Sequence, residues 1–285
     1  MITVLVTGSN GQLGKCLLDI SKESIGINWI FKSSKELDIT DEDSITNVFN
    51  NNKIDYLVNC AAYTAVDKAE GEPEKAFLVN AEGVRLLSNV CKDYNTTLIH
   101  ISTDFVFDGK KTAPYIETDL PNPINVYGAS KLKGEQYVQE ILEKYFIIRT
   151  SWVYSEHGNN FVKTMLRLAN ERDEISVVND QIGSPTYAGD LAKCIIHIIG
   201  VKSQEYGLYH FSNLGEISWY EFARNIFNFK GLDIALKAIG SSAYPTEAKR
   251  PRYSVLNTSK IFNQLDVKPV CWDLRLKRLL LQLIL

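Results

Sequence analysis

Tyr127 and Lys131, in the segment Tyr127-Gly-Ala-Ser-Lys131, stand four residues apart and on a helix would share one face. An ammonium held near a phenol favours the phenolate and makes the phenol a better acid near neutral pH. Ketone reduction by a nicotinamide needs such an acid, because hydride goes to carbon and a proton to oxygen. Two other groups bear on that chemistry. Ser102-Thr103 ends an apolar run upstream, and Gly8-x-x-Gly11-x-x-Gly14 follows another near the N-terminus. Alone, a Tyr-x-x-x-Lys spacing is common, so its meaning depends on a cofactor cleft around it.

The elements that must build this cleft follow from periodicity. Ile2–Thr7 is a continuous apolar, β-branched run, the pattern of a strand buried on both faces. Further buried strands are predicted at residues 29–31, 56–58, 98–102 and 146–149, with helices at 41–50, 74–94 and 130–144. Alternating strands and helices imply right-handed βαβ units and a Rossmann-like, doubly wound parallel α/β sheet. Past Tyr154 the rhythm loosens, through helices at 161–172, 191–199 and 219–227, short strands at 175–178 and 208–211, and a turn-rich loop Asp180-Gln-Ile-Gly-Ser-Pro-Thr186. We expect a dinucleotide-binding domain over 1–154, to which elements around 187–212 return, and a smaller α/β substrate lobe over 155–285. The apolar tail 279–285 is expected to form a packed terminal helix.

Gly8, Gly11 and Gly14 sit between a predicted strand and a predicted helix, where glycine lets the backbone approach a pyrophosphate and the helix offers unpaired N–H groups. The plainer reading is a tight turn before a helix. The end of the second strand reads Phe31-Lys32-Ser33-Ser34-Lys35 with no carboxylate. A basic residue there suits a 2′-phosphate, so NADPH is expected and NADH stays open. Asp38-Ile39 follows, and the carboxylate of Asp38 either reaches the adenine or caps the next helix.

In 285 residues, 45% are hydrophobic and 23% charged, with a net charge of -3. That balance disfavours nucleic acid or an anionic membrane as the main partner. Cys16, Cys60, Cys91, Cys194 and Cys271 are dispersed without metal-ligand spacing, which suits reduced thiols and a cytoplasmic protein. No signal peptide and no bilayer-length apolar run are expected. His100, His157, His197 and His210 show no ligand spacing and read as structural, and Asp67 and Glu70 read as a solvated helical turn.

Taken together, the glycine run, Asn59-Cys-Ala-Ala62, Ser102-Thr103 and Tyr127-x-x-x-Lys131 resemble the extended short-chain dehydrogenase/reductases that act on nucleotide sugars. Gly11-Gln-Leu-Gly14, Ala61-Ala-Tyr-Thr-Ala-Val-Asp-Lys-Ala-Glu70, Ser102-Thr-Asp-Phe-Val-Phe-Asp-Gly109, Asn125-Val-Tyr-Gly128, Arg149-Thr-Ser-Trp-Val-Tyr154, Asn160-Phe161, Asp180-Gln-x-Gly-Ser-Pro-Thr186 and Arg250-Pro251 narrow the resemblance to the dTDP-4-dehydrorhamnose reductase family. It runs to about residue 256; Cys271 onward is atypical.

This resemblance implies reduction of the C4 ketone of dTDP-4-dehydro-L-rhamnose to dTDP-L-rhamnose by NADPH or NADH. By position, Tyr127 is the proton donor, Lys131 tunes it and holds the nicotinamide ribose, and Thr103 bonds the C4 oxygen. The cofactor set would be Gly8, Asn10, Gly11, Gln12, Leu13, Gly14, Lys32, Asp38, Ile39, Ala61, Ala62 and Tyr63 with Tyr127 and Lys131. The substrate set would be Thr64, Thr103, Asp104, Phe105, Tyr127, Trp152, Asn160 and Arg250.

The family usually has Tyr where Phe105 stands. Some members form dimers bridged by Mg²⁺ through glutamates, one of which falls at Cys16, a poor magnesium ligand. No metal is therefore expected, and the chain should be a monomer or weak homodimer. Dehydratases of the same fold carry Asp-Glu after the threonine; Asp104-Phe105 lacks that second acid. A reductase of another 4-keto-deoxysugar, a cofactor-retaining epimerase, and a regulatory subunit of the methionine adenosyltransferase type remain the alternatives.

Overall fold

A computed structural model describes residues 1–283. The N-terminal half alternates β1 (Ile2–Thr7), α1 (Gln12–Ser21), β2 (Ile27–Lys32), α2 (Glu42–Asn51), β3 (Tyr56–Asn59), α3 (Val66–Gly71), α4 (Pro73–Phe77), α5 (Gly83–Asp93), β4 (Thr97–Thr103), α6 (Val126–Ile141) and β5 (Tyr145–Thr150). The five predicted strands are all present, each extended by a residue or more except β1, which keeps its predicted bounds.

Successive side chains of these strands go to opposite faces, which produces two cores. Val4, Val6, Val58, Ile99, Phe146 and Ile148 belong to one; Leu5, Leu57, Leu98 and Ile147 belong to the other. Helix α1 covers the first face, and α2, α5 and α6 cover the second. Continuous apolar strands are the consequence of that double cover.

The predicted helix over 74–94 is instead two helices joined by a π-helical turn, Leu78–Glu82. Asn80, fully buried within that turn, explains the break. Its Oδ1 accepts from Tyr63 N–H at 2.9 Å, and its Nδ2 donates to Tyr63 C=O at 3.0 Å and to Ser130 Oγ at 3.0 Å. Helix α6 begins four residues earlier than predicted, because Asn125 caps it: Oδ1 accepts from Gly128 N–H at 2.7 Å. Tyr127 and Lys131 therefore both lie inside α6.

The second half runs β6 (Val153–Tyr154), α7 (Phe161–Glu171), β7 (Glu174–Val178), β8 (Ile182–Gly183), β9 (Thr186–Tyr187), α8 (Ala188–Gly200), β10 (Gly207–His210), β11 (Ile217–Ser218), α9 (Trp219–Lys230), β12 (Ala235–Ile239), α10 (Ser259–Leu265) and α11 (Trp272–Gln282). The central sheet has the order β10-β5-β4-β3-β1-β2, and every pair in it is parallel. Thus β10 completes the sheet beside β5, and α8 packs with α1 on the first face. A third core, under α7, α9 and α11, holds the lobe formed around β7 and β12. Leu279 and Leu280 of the tail are buried there, whereas Leu281 is exposed; residues 284–285 lie outside the described residues.

The chain order reverses between β1 and β3, where their carboxyl ends, Thr7 and Asn59, are register partners. Ligands of open α/β sheets bind at such a switch point, beyond the carboxyl ends of the strands.

Candidate active site

The loop after β1 opens the site. Gly8 has φ +64°, and a Cβ there would lie 2.6 Å from the Ala61 backbone nitrogen, so the two loops touch only because residue 8 has no side chain. Gly11 starts α1 with no side-chain cap, and no acidic residue stands in the first turn. The first N–H groups of α1 are therefore left facing a cavity of about 600 Å³. Asn10, Gly11, Gln12, Leu13 and Gly14 line it, as do Ala61, Ala62 and Thr64.

Thr103, Asp104, Phe105, Tyr127 and Lys131 close the same cavity at the ends of β4 and α6. Burial pushes the Tyr127 phenol up to about 12, with the Thr103 hydroxyl opposing the rise and Asp104 adding to it. Tyr127 thus keeps its proton at neutral pH. The spacing argument expected Lys131 to tune this phenol directly; here its Nζ donates instead to Ile101 C=O at 2.6 Å and meets His100 Nε2 at 3.4 Å. Burial lowers the lysine to about 8, against the pull of Glu135. Asp104, 2% exposed, is pushed up to about 7 by burial, and its Oδ2 has no partner.

Beneath α6, Glu135 accepts from Arg149 at 2.6 Å and from Ser102 Oγ at 2.5 Å. These bonds tie the helix that carries Tyr127 to β4 and β5, one residue from Thr103. The pairing is buried at both ends, so losing one partner would strand a charge.

A second cavity of about 700 Å³ adjoins the first, and Phe105, Trp152 and Trp219 line both. Trp152 has φ +46°, a strained region for so large a residue, and its ring passes over Gly183, where a Cβ would lie 2.5 Å away. Arg250 lines the far cavity while its guanidinium bonds Asp67 at 2.6 and 3.0 Å and holds that carboxyl below its usual range. Asp67 is therefore an ion-pair partner that stays partly exposed. Glu70 likewise accepts from Val126 N–H at 2.8 Å.

Several expected site residues lie elsewhere. Asn160 caps α7 and donates at 2.9 Å to Oε1 of Gln12, a residue of the first cavity's wall, so it stands behind that wall and not in either lining. Ile39 is buried in the second core, and the Asp38 carboxylate accepts from Thr40 N–H and Oγ1. Tyr63 turns its hydroxyl to Glu72. At the end of β2, Lys32 is half-exposed, but Ser33 is engaged: its N–H and Oγ both donate to Glu36, at 2.8 and 2.6 Å. A carboxylate does stand at this strand end, four residues beyond Lys32, where a linear reading found none.

Cys16 lies near Glu156 and His157, with all three ligand atoms within 4.8 Å of one another. Burial pushes the thiol up to about 12, and His157 Nε2 is held by Asp19 at 2.7 Å. This donor set does not fit Mg²⁺, which demands hard oxygen ligands. Sequence reasoning also missed Trp219. Its place at the start of an amphipathic helix gives no sign that it faces a cavity.

The family model described as the RmlD substrate binding domain matches residues 2–284. The chain belongs to this family. Among its relatives, the dTDP-4-dehydrorhamnose reductase of Aggregatibacter actinomycetemcomitans is 42% identical over 289 residues, spanning 98% of each chain. That of Escherichia coli (strain K12) is 44% identical over 255 residues, 86% of this chain and 85% of the relative. A crystal structure of dTDP-4-dehydrorhamnose reductase from Bacillus anthracis in complex with NADP superposes with a TM-score of 0.94 at 41% identity, covering 99% of this chain and 100% of that one. Membership in the RmlD family agrees with the resemblance carried by the motifs. Among the described residues no helix is long and apolar enough to cross a membrane.

Proposed function

We propose that this chain is the oxidoreductase that reduces the C4 ketone of dTDP-4-dehydro-L-rhamnose to dTDP-L-rhamnose, with NADPH as its cofactor and Tyr127 as proton donor. One observation carries the reading: Thr103, Tyr127 and Lys131 meet in a cavity whose other end is the uncapped N-terminus of α1. The loop at Gly8 suits a dinucleotide, since its contact with the Ala61 backbone brings two strand-end loops together at the cavity, and free N–H groups at a helix start suit a pyrophosphate. When bound, a reduced nicotinamide supplies the hydride.

The chain's own residues do the remainder. Gly11 to Gly14 would hold the pyrophosphate, and Lys131 would hold the ribose. Thr103 orients the ketone oxygen toward Tyr127, whose phenol remains protonated and gives its proton to that oxygen as charge develops. Trp152 and Trp219 line both cavities, and the wider one beyond them has room for the nucleotide of the substrate. Phe105 presents its edge to the Tyr127 ring, with centroids 5.8 Å apart, and offers no second acid for water elimination. The free thiols agree with a reducing, cytoplasmic setting.

The test is NADPH consumption with dTDP-4-dehydro-L-rhamnose, followed by NMR of the product, with Tyr127→Phe as control. A dTDP-linked sugar of another configuration would reassign the substrate. No NADPH consumption with any dTDP-4-keto sugar would remove the enzyme reading.

A further inference from the structure

Four buried polar side chains form a line beneath the site: Thr7 at the end of β1, Asn59 at the end of β3, His100 in β4 and Lys131 in α6, none more than 2% exposed. Their hydrogen bonds fix the proton positions. Ala61 N–H is only a donor, so the Asn59 atom that faces it at 3.2 Å is Oδ1. Thr7 Oγ1 donates to the same oxygen at 2.7 Å. The other end of the amide, Nδ2, therefore faces His100 Nδ1 at 3.1 Å and donates to it. An Nδ1 that accepts carries no proton, so the neutral ring holds its hydrogen on Nε2. That hydrogen points to Lys131 Nζ, 3.4 Å away.

We propose that His100 is a positioning residue for Lys131: locked by Thr7 and Asn59 as the Nε2–H tautomer, it sets the lysine's hold on its proton. An ammonium facing an N–H meets donor against donor, whereas a neutral amine offers its lone pair to that hydrogen. Ile101 C=O anchors Nζ from the other side and accepts in either state. The other ionisable groups around Nζ are Cys60 after β3, and Glu135 one turn along α6, which Arg149 of β5 already neutralises. With Glu135 engaged, the histidine is the uncommitted polar contact of the ammonium. Burial and the nearby lysine both disfavour a charged His100, so the ring stays neutral through the working range.

The inference deepens the reading of Lys131 given above and rests on it for its kinetic part. Asn59→Asp offers the sharpest test. A carboxylate cannot donate, so it would draw the hydrogen to Nδ1 and turn the lone pair of Nε2 toward Lys131. The lysine would then hold its proton to higher pH, to which the new carboxylate's charge also contributes; His100→Gln, which adds no charge, separates the two. Long-range proton–nitrogen NMR of the NADP-bound wild type should show a single Nε2–H tautomer for His100 that does not titrate between about pH 6 and 9. In Asn59→Asp the tautomer should reverse, and the alkaline limb of kcat/KM should move up by about one pH unit. His100→Gln should move that limb less.

An Nδ1–H tautomer in the wild type, or a ring that titrates in that range, overturns the proposal even if every variant misfolds. An unmoved alkaline limb in a folded Asn59→Asp with the reversed tautomer overturns it too. The tautomer is read without substrate, so a failure of the reductase reading would leave that arm standing.

Discussion

Trp152 and Trp219 lie face to face, their ring centroids 3.4 Å apart and their planes 7° from parallel. Trp152 follows β5 at the end of the central sheet, and Trp219 opens α9 of the lobe, so the stack joins the two halves at the boundary between the cavities. Phe161, 4.5 Å from the Trp219 ring, extends it toward the lobe core. Trp219→Ala should raise KM for the sugar nucleotide by about tenfold and leave NADPH affinity within about twofold. Gly183→Ala should push Trp152 off its place and cost about 1–3 kcal/mol of stability. Steady-state kinetics and thermal unfolding check the pair; equal losses in cofactor and substrate affinity would argue against a boundary role.

Tyr127→Phe removes one oxygen and keeps the ring against Phe105. Turnover should fall by about a hundred- to ten-thousand-fold, with NADPH binding unchanged by fluorescence titration. A variant that keeps more than about a tenth of the activity would remove Tyr127 as the proton donor.

Glu36 should weaken discrimination in favour of NADPH, because its carboxylate holds both donors of Ser33 beside Lys32. Glu36→Gln should improve the kcat/KM ratio of NADPH over NADH by about fivefold, and Lys32→Ala should lower it by a similar factor. Kinetics with the two cofactors at low salt decide this; an unchanged ratio in both variants would place the adenine ribose elsewhere.

Asp104 makes stability depend on pH. Its carboxyl is raised from 3.8 to about 7 by burial, so between those values the folded chain holds a proton that the unfolded chain has lost. Its contribution is present in full below about pH 4 and drains away as pH rises to about 7, each unit being worth about 1.4 kcal/mol. Asp104→Asn should flatten this part of the profile and gain most, relative to wild type, above pH 7. Parallel slopes for the two proteins in denaturant titrations across the window would contradict the assignment.

Much of the fold was legible because β1, β3, β4 and β5 are apolar on both faces and leave no choice of period. Thr103, Tyr127 and Lys131 were legible as a candidate set because such chemistry needs particular residue types at fixed spacing, and the fold brings all three to one cavity. Contacts that join distant segments were not. Arg250 pairing with Asp67 and the Trp152–Trp219 stack are such contacts, and like the local fold-back of Glu36 on Ser33 they depend on side-chain direction, which spacing does not carry. The π turn at Asn80 is hidden for a similar reason: helical periodicity runs through it, and only the buried amide bonds to Tyr63 and Ser130 reveal the extra residue. β12 escaped notice because Ala235–Ile239 is mostly exposed and shows no apolar run.

The sheet's outermost strand, β10, is supplied by the chain only after it has traversed part of the lobe. The two halves are thus laced together and cannot be separated by a cut at Tyr154. Such a cut would leave a fragment with the edge of β5 bare and the α1 face stripped of α8. Any attempt to swap the sugar-recognising region between relatives must therefore exchange the pieces on either side of residues 188–210 and keep that segment with the sheet it completes.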